Sequence, residues 1–241
     1  MRRGRRQQGT PTVEEGRLLT RPVAPRQEGP TGIHPLGLDG RRDGLLFVPS
    51  GYRPDRPAPL ALMLHGAGGT ARHGLDLLLP LAEEAGLILL APDSRGRTWD
   101  VILGGYGADI TFIDRALAPT FDRYAVNPER LAVGGFSDGA SYALSVGITN
   151  GDLFPHIIAF SPGFMAPGGQ EGTPRAFISH GTRDEVLPID VCSRRIVPQL
   201  QRAGYDVHYR EFDGPHTIPP EITREAMDWF AAERSESTPQ S

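Results

Sequence analysis

The sequence predicts an α/β fold, with a mostly parallel sheet covered by helices on both faces. Three observations predict it. From Gly44 onward, short apolar runs alternate with amphipathic runs. The apolar runs are nearly unbroken, as strands buried on both sides require. Gly, Pro or Ser closes most of them, as turns demand. The 241 residues, 39% of them hydrophobic and 22% charged, suffice for one folding unit that holds a core without staples.

The elements follow in order. Leu45–Val48 reads as a strand, ended by Pro49, Ser50 and Gly51. Leu60–Leu64 is a second, followed at once by His65-Gly66-Ala67-Gly68-Gly69. Residues 71–85 fit a helix with Leu75, Leu78, Leu79 and Ala82 on one face, stopped by Gly86. Leu87–Ala91 is a third strand. Residues 106–124 fit a long helix, in which Pro119 predicts a kink or an early end. Leu131–Phe136 is a strand leading into Ser137, and 138–149 is helical. Strands at Ile157–Phe160 and Arg175–Ser179, a helix at 191–203, a strand at Val207–Phe212 and a helix at 221–233 complete the domain. Pro162–Pro174 is a loop too short to hold a helical cap.

The outer segments differ in composition. Residues 1–30 are rich in Arg, Pro, Gly, Gln and Glu and read as a flexible tail, with one short strand candidate at Gly16–Thr20. The expected domain is 31–234, followed by a disordered tail, 235–241. The basic start is not followed by the apolar stretch of a signal peptide, and no window approaches a membrane span. With the single cysteine, Cys192, this points to a cytoplasmic location. The net charge of -4 argues against a nucleic-acid partner. The sequence contains no lysine, which excludes a Schiff-base or P-loop lysine. No HExxH spacing suggests a metal, and no GxGxxG follows an early strand. Oligomeric state is not legible.

In sheets of this kind the loops at the strand carboxyl ends build the site. Gly135-Phe136-Ser137-Asp138-Gly139 lies between a predicted strand and a predicted helix. A sharp strand-to-helix turn there would strain Ser137 and leave no room for side chains on its flanks. A plain serine N-cap is the rival reading. A serine hydroxyl needs a base, and the base needs an orienting acid. His216 sits in the loop after the last predicted strand and is the candidate base; His180, at a strand end, competes. Asp184 is the candidate acid, with Glu185, Asp190 and Asp213 as rivals. A tetrahedral intermediate needs two N–H donors. One is expected from Asp138, the other from the glycine-rich loop, at Ala67 or alternatively Gly68.

Together these pieces resemble the α/β-hydrolase superfamily, within it the small carboxylesterase/phospholipase group that includes acyl-protein thioesterases. The likeness is carried by Leu64-His65-Gly66, Gly135–Gly139, His180-Gly181 with Asp184 and Pro188, and Gly214 with His216, and spans about residues 45–232. It implies hydrolysis of carboxylic esters through an acyl-enzyme, without a cofactor, and it favours Ala67 for the second oxyanion donor. Thioester, feruloyl ester, polyester or peptide cleavage on the same three residues is the alternative. A non-catalytic binding protein on this fold is a third reading. Members of the group often carry Gln after the nucleophile, where this chain has Asp138. A carboxylate facing the oxyanion would raise the barrier, so Asp138 is expected to turn away and pair with Arg95 or Arg97. Trp99, after a strand end, is expected to wall the pocket. Without a cap the pocket should be open and suit short-chain or small aromatic esters.

Overall fold

The computed structural model describes residues 15–232. Eight strands form one sheet: β1 (Gly32–Pro35), β2 (Gly44–Val48), β3 (Ala58–Leu64), β4 (Ile88–Pro92), β5 (Val126–Phe136), β6 (His156–Phe160), β7 (Arg175–Gly181) and β8 (Val207–Phe212). Their spatial order is β1-β2-β4-β3-β5-β6-β7-β8. The two β2 pairings are antiparallel and all later ones parallel. Among the described residues, six α-helices accompany the sheet: α1 (Ala71–Asp76), α2 (Leu79–Ala82), α3 (Ala108–Arg123), α4 (Asp138–Thr149), α5 (Ser193–Arg202) and α6 (Pro220–Ala231).

Strand periodicity divides the core. Leu60, Leu62 and Leu64 of β3 face a cluster with Ile113 and Leu117 of α3, Leu144 of α4 and Leu200 of α5. Ala61 and Met63 face the opposite cluster, with Leu75 of α1, Ala82 of α2 and Ile222 and Phe230 of α6. Side chains two apart share a face of a strand, so one seven-residue strand anchors both helical layers. The three-layer architecture agrees with the sequence expectation, and 162–174 holds neither helix nor strand.

Several elements depart from expectation. The helix expected over 71–85 is two helices, because Pro80 has no N–H to offer the Asp76 carbonyl and its ring crowds that turn. Pro119, by contrast, lies inside an unbroken α3. Burial of Phe112, Ile113, Leu117 and Phe121 on both sides of it outweighs one lost backbone bond. Strand β1 was not expected, since its half-exposed residues form no apolar run. Gly16–Thr20 is not a strand of the sheet.

The expected flexible tail is wrong for residues 15–30. Leu18 is fully buried in the core, and its amide donates to Asn150 Oδ1 at 2.8 Å. Arg17 pairs with Asp152 at 2.8 Å, Arg26 with Asp122 at 2.6 Å, and the Tyr124 hydroxyl donates to the Pro30 carbonyl. Each partner is about a hundred residues away or more, so local composition could not reveal it. The Arg run at the start and the tail expected over 235–241 lie outside the described residues. Among the described residues, no helix is long and apolar enough to cross a membrane.

Candidate active site

Ser137 sits between β5 and α4 with φ 59° and ψ -121°. Non-glycine residues rarely adopt this conformation, which costs about 1–3 kcal/mol. Packing enforces it. A Cβ on Gly135 would lie 2.5 Å from the Leu64 carbonyl oxygen, and one on Gly139 would lie 2.6 Å from that of His65 and closer still to that of Leu64. The turn is therefore pressed against the end of β3. The Ser137 amide donates to the Phe160 carbonyl at 2.9 Å, continuing the β5–β6 ladder to the site.

Asp184 and His216 come from neighbouring loops. A Cβ on Gly181 would meet the Pro215 carbonyl oxygen at 2.5 Å, so the end of β7 lies directly on the 214–216 segment. His216 Nδ1–H donates to Asp184 Oδ2 at 2.5 Å, and the Ser137 hydroxyl donates to His216 Nε2 at 2.9 Å. Asp184, an acceptor when ionised, sets this tautomer. Its Oδ1 accepts the Val186 and Leu187 amides at 2.9 and 2.7 Å. Burial opposes its ionisation, but the Leu187 amide and the His216 imidazole prevail and hold the carboxyl below the ordinary carboxylate range.

His180 makes no hydrogen bond to Ser137 among the described residues; it braces the acid. Its Nε2 lies 2.8 Å from the Leu187 carbonyl and 3.2 Å from Asp184 Oδ2, while Nδ1 accepts from Ser193 Oγ at 2.6 Å. Burial lowers its pKa. Asp190 pairs with Arg194 and Asp213 with Arg183, and among the described residues His216 hydrogen-bonds to neither of them nor to Glu185.

The glycine-rich loop approaches the turn closely: a Cβ on Gly66 would stand 3.4 Å from that of Ser137. Asp138 opens α4, where an amide has no partner inside the helix. The Ala67 amide donates to no backbone carbonyl among the described residues. The Gly68 amide is committed to the Arg97 carbonyl at 2.8 Å, which removes Gly68 as the alternative donor. His65 is locked in place, its Nδ1–H donating to the Gly66 carbonyl and its Nε2 accepting the Ser94 amide.

Two further expectations fail. Asp138 pairs with neither Arg95 nor Arg97; its Oδ2 accepts from Thr98 Oγ1 at 2.6 Å. Arg95 instead reaches Asp39 and lies over the Phe112 ring. Trp99 is fully buried and cannot wall a pocket. It stacks on Tyr142, with ring centroids 5.1 Å apart, and donates from Nε1 to the His65 carbonyl at 2.8 Å. It supports the glycine-rich loop from beneath. The sequence showed only that this segment follows a strand, not which way the indole points.

A cleft of about 400 Å³ opens beside the site between α1–α2 and the start of α6, with His216, Phe136, Leu77, Leu81 and Ile218 in its lining. Sequence reasoning missed it because only part of its wall, Phe136 and residues 216–218, comes from strand ends, and the rest comes from α1–α2 and α6.

Fold and site together define the class: the chain has the α/β-hydrolase fold, with no large cap among the described residues. No family model matches it. It is similar to feruloyl esterase C of Emericella nidulans, with 26% identity over 169 residues covering 67% of this chain. The chain spans 62% of that relative's length. Among solved structures it resembles esterase PE8, at TM-score 0.64 and 23% identity, covering 78% of this chain and 97% of that one. It also resembles the CE1 ferulic acid esterase of Anaeromyces mucronatus, at TM-score 0.63 and 17% identity, covering 92% and 95%.

Proposed function

We propose that this protein is a serine carboxylic-ester hydrolase that works through an acyl-enzyme on short-chain or small aromatic esters. The observation that carries the reading is the relay from Ser137 through His216 to Asp184, at 2.9 and 2.5 Å. In this reading Ser137 Oγ attacks the carbonyl carbon as His216 Nε2 takes its proton. Asp184 holds the imidazole tautomer and stabilises the imidazolium. The Ala67 and Asp138 amides receive the oxyanion. Water then repeats the sequence and frees the acid. The bond from Thr98 to Asp138 supports a carboxylate held off the reaction centre.

An aromatic acyl group has a specific observation in its favour: the curated relative is named a feruloyl esterase. The small ester is the only partner the reading requires, and the single cysteine, Cys192, fits a cytoplasmic location. The test is labelling by a fluorophosphonate probe, with turnover of methyl ferulate and of p-nitrophenyl esters of graded acyl length. Labelling and turnover that vanish in Ser137→Ala are expected. Turnover retained in that variant would refute the assignment, and preference for long over butyrate-length chains would refute the substrate class.

A further inference from the structure

We propose that the cleft beside His216 receives the leaving alcohol of the ester, and that it suits a phenol-like alcohol carrying an anionic substituent. This rests on the hydrolase reading above and specifies which arm of the ester goes where.

The chemistry fixes the direction of each arm. When Ser137 Oγ has bonded to the carbonyl carbon, the oxyanion faces the Ala67 and Asp138 amides. The leaving oxygen must then stand within hydrogen-bond reach of His216 Nε2, because that nitrogen returns the proton taken from Ser137. The carbon–oxygen bond to the alcohol breaks, its electron pair stays on oxygen, and the proton from Nε2 completes the alcohol. The acyl group remains on Oγ. The arm beyond the leaving oxygen therefore runs along His216.

His216 is a wall of the cleft, whereas the glycine-rich loop 65–69 and Trp99 contribute nothing to its lining. Phe136 lies against the imidazole, with ring centroids 4.6 Å apart, and offers an apolar face beside the base. Leu77, Leu81 and Ile218 continue that surface. A volume of about 400 Å³ is at the small end for ligand sites and admits a single-ring alcohol. A sugar would lose water from the hydroxyls that face Leu77, Leu81, Phe136 and Ile218, which offer no replacement bonds.

The rim supplies the charge. Arg224 of α6 lines the cleft and makes no ion pair among the described residues. The other rim charge, Asp76, is already neutralised by Arg72 at 2.9 Å. The opening thus presents a cation with no ion-pair partner among the described residues beside an apolar floor, which complements a carboxylate on an aromatic ring.

The experiment compares kcat/KM for 3-carboxyphenyl acetate and phenyl acetate in wild type, Arg224→Gln and Arg224→Glu. The carboxyphenyl-to-phenyl ratio should fall about two- to fivefold in Arg224→Gln, the scale of an exposed ion pair, and further in Arg224→Glu. In Leu81→Trp, which fills the cleft, the phenyl-to-methyl acetate ratio should fall about tenfold. Ratios unmoved in all three variants, with Ser137 still labelled, would overturn the alcohol assignment alone. A shift in acyl-length preference at fixed alcohol in Leu81→Trp would overturn it too, by giving the cleft to the acyl arm. Failure of Ser137 to label in wild type would remove the hydrolase reading and this proposal with it.

Discussion

Replacing Gly139 with alanine should damage both stability and chemistry, and the amount can be worked from the structure. The added Cβ would lie 2.6 Å from the His65 carbonyl oxygen and closer to that of Leu64, where ordinary contacts begin at 3.4 Å. Both oxygens belong to backbone at the end of β3, so no flexible side chain can yield. The first turn of α4 must move away by close to 1 Å. Overpacking of this kind costs about 1–3 kcal/mol, and in a chain of this length each kcal/mol lowers Tm by about 2–4 °C. A loss of roughly 2–12 °C is expected. The same displacement draws Ser137 off the 2.9 Å line to His216, and misplacement by about 1 Å costs on the order of 10²-fold in rate. Gly51→Ala is the control, because a Cβ there meets nothing within 4 Å. Thermal melts and kcat/KM on p-nitrophenyl butyrate measure both effects. A Gly139→Ala protein that melts within about 2 °C of wild type and retains full activity would refute the packing argument.

Other predictions concern the relay and its surroundings. Asp184→Asn should lower kcat by about 10⁴-fold, since the amide leaves His216 in the wrong tautomer; kinetics on the purified variant check it. Asp184 also couples to stability. Its folded pKa lies below the unfolded value, so its contribution is complete above about pH 4 and is lost as pH falls through the folded pKa. The Tm gap between wild type and Asp184→Asn should therefore close in acid. Asp109 has the opposite sign: burial pushes it up to about 6, so its ionisation erodes stability as pH rises from about 4 through 6. Asp109→Ala should remove that slope from a series of melts. Asp138→Asn should raise kcat/KM by less than about tenfold, because the carboxylate is held by Thr98; a larger gain would mean that its charge reaches the reaction centre.

The sequence carried the layout well where the signal was periodic. The strands β2 to β8 were legible, most of them as apolar runs, and Gly135–Gly139 marked the sharp turn because close approach leaves a mark in residue choice. Gly181 left a similar mark beside Asp184. What stayed hidden was direction and partnership. Nothing near Trp99 indicates that its ring faces inward onto Tyr142. Nothing near Asp138 announces Thr98, forty residues earlier. His180 was legible as a residue near the site, but its job became clear only when its Nε2 stood beside Asp184. Strand β1 escaped because an edge strand needs no apolar pattern.

The amino-terminal segment changes how this protein should be handled. Leu18 plugs the main core, and the residues on either side clasp two helices, Asp114 of α3 accepting the Leu19 and Thr20 amides and the carbonyl of Thr149 in α4 accepting from Arg17. A clone trimmed to begin at residue 31, where composition alone would place the boundary, would uncork the interior at the far end of the helix that begins at Asp138. The working unit includes residues 15–30, and fusion partners belong upstream of them.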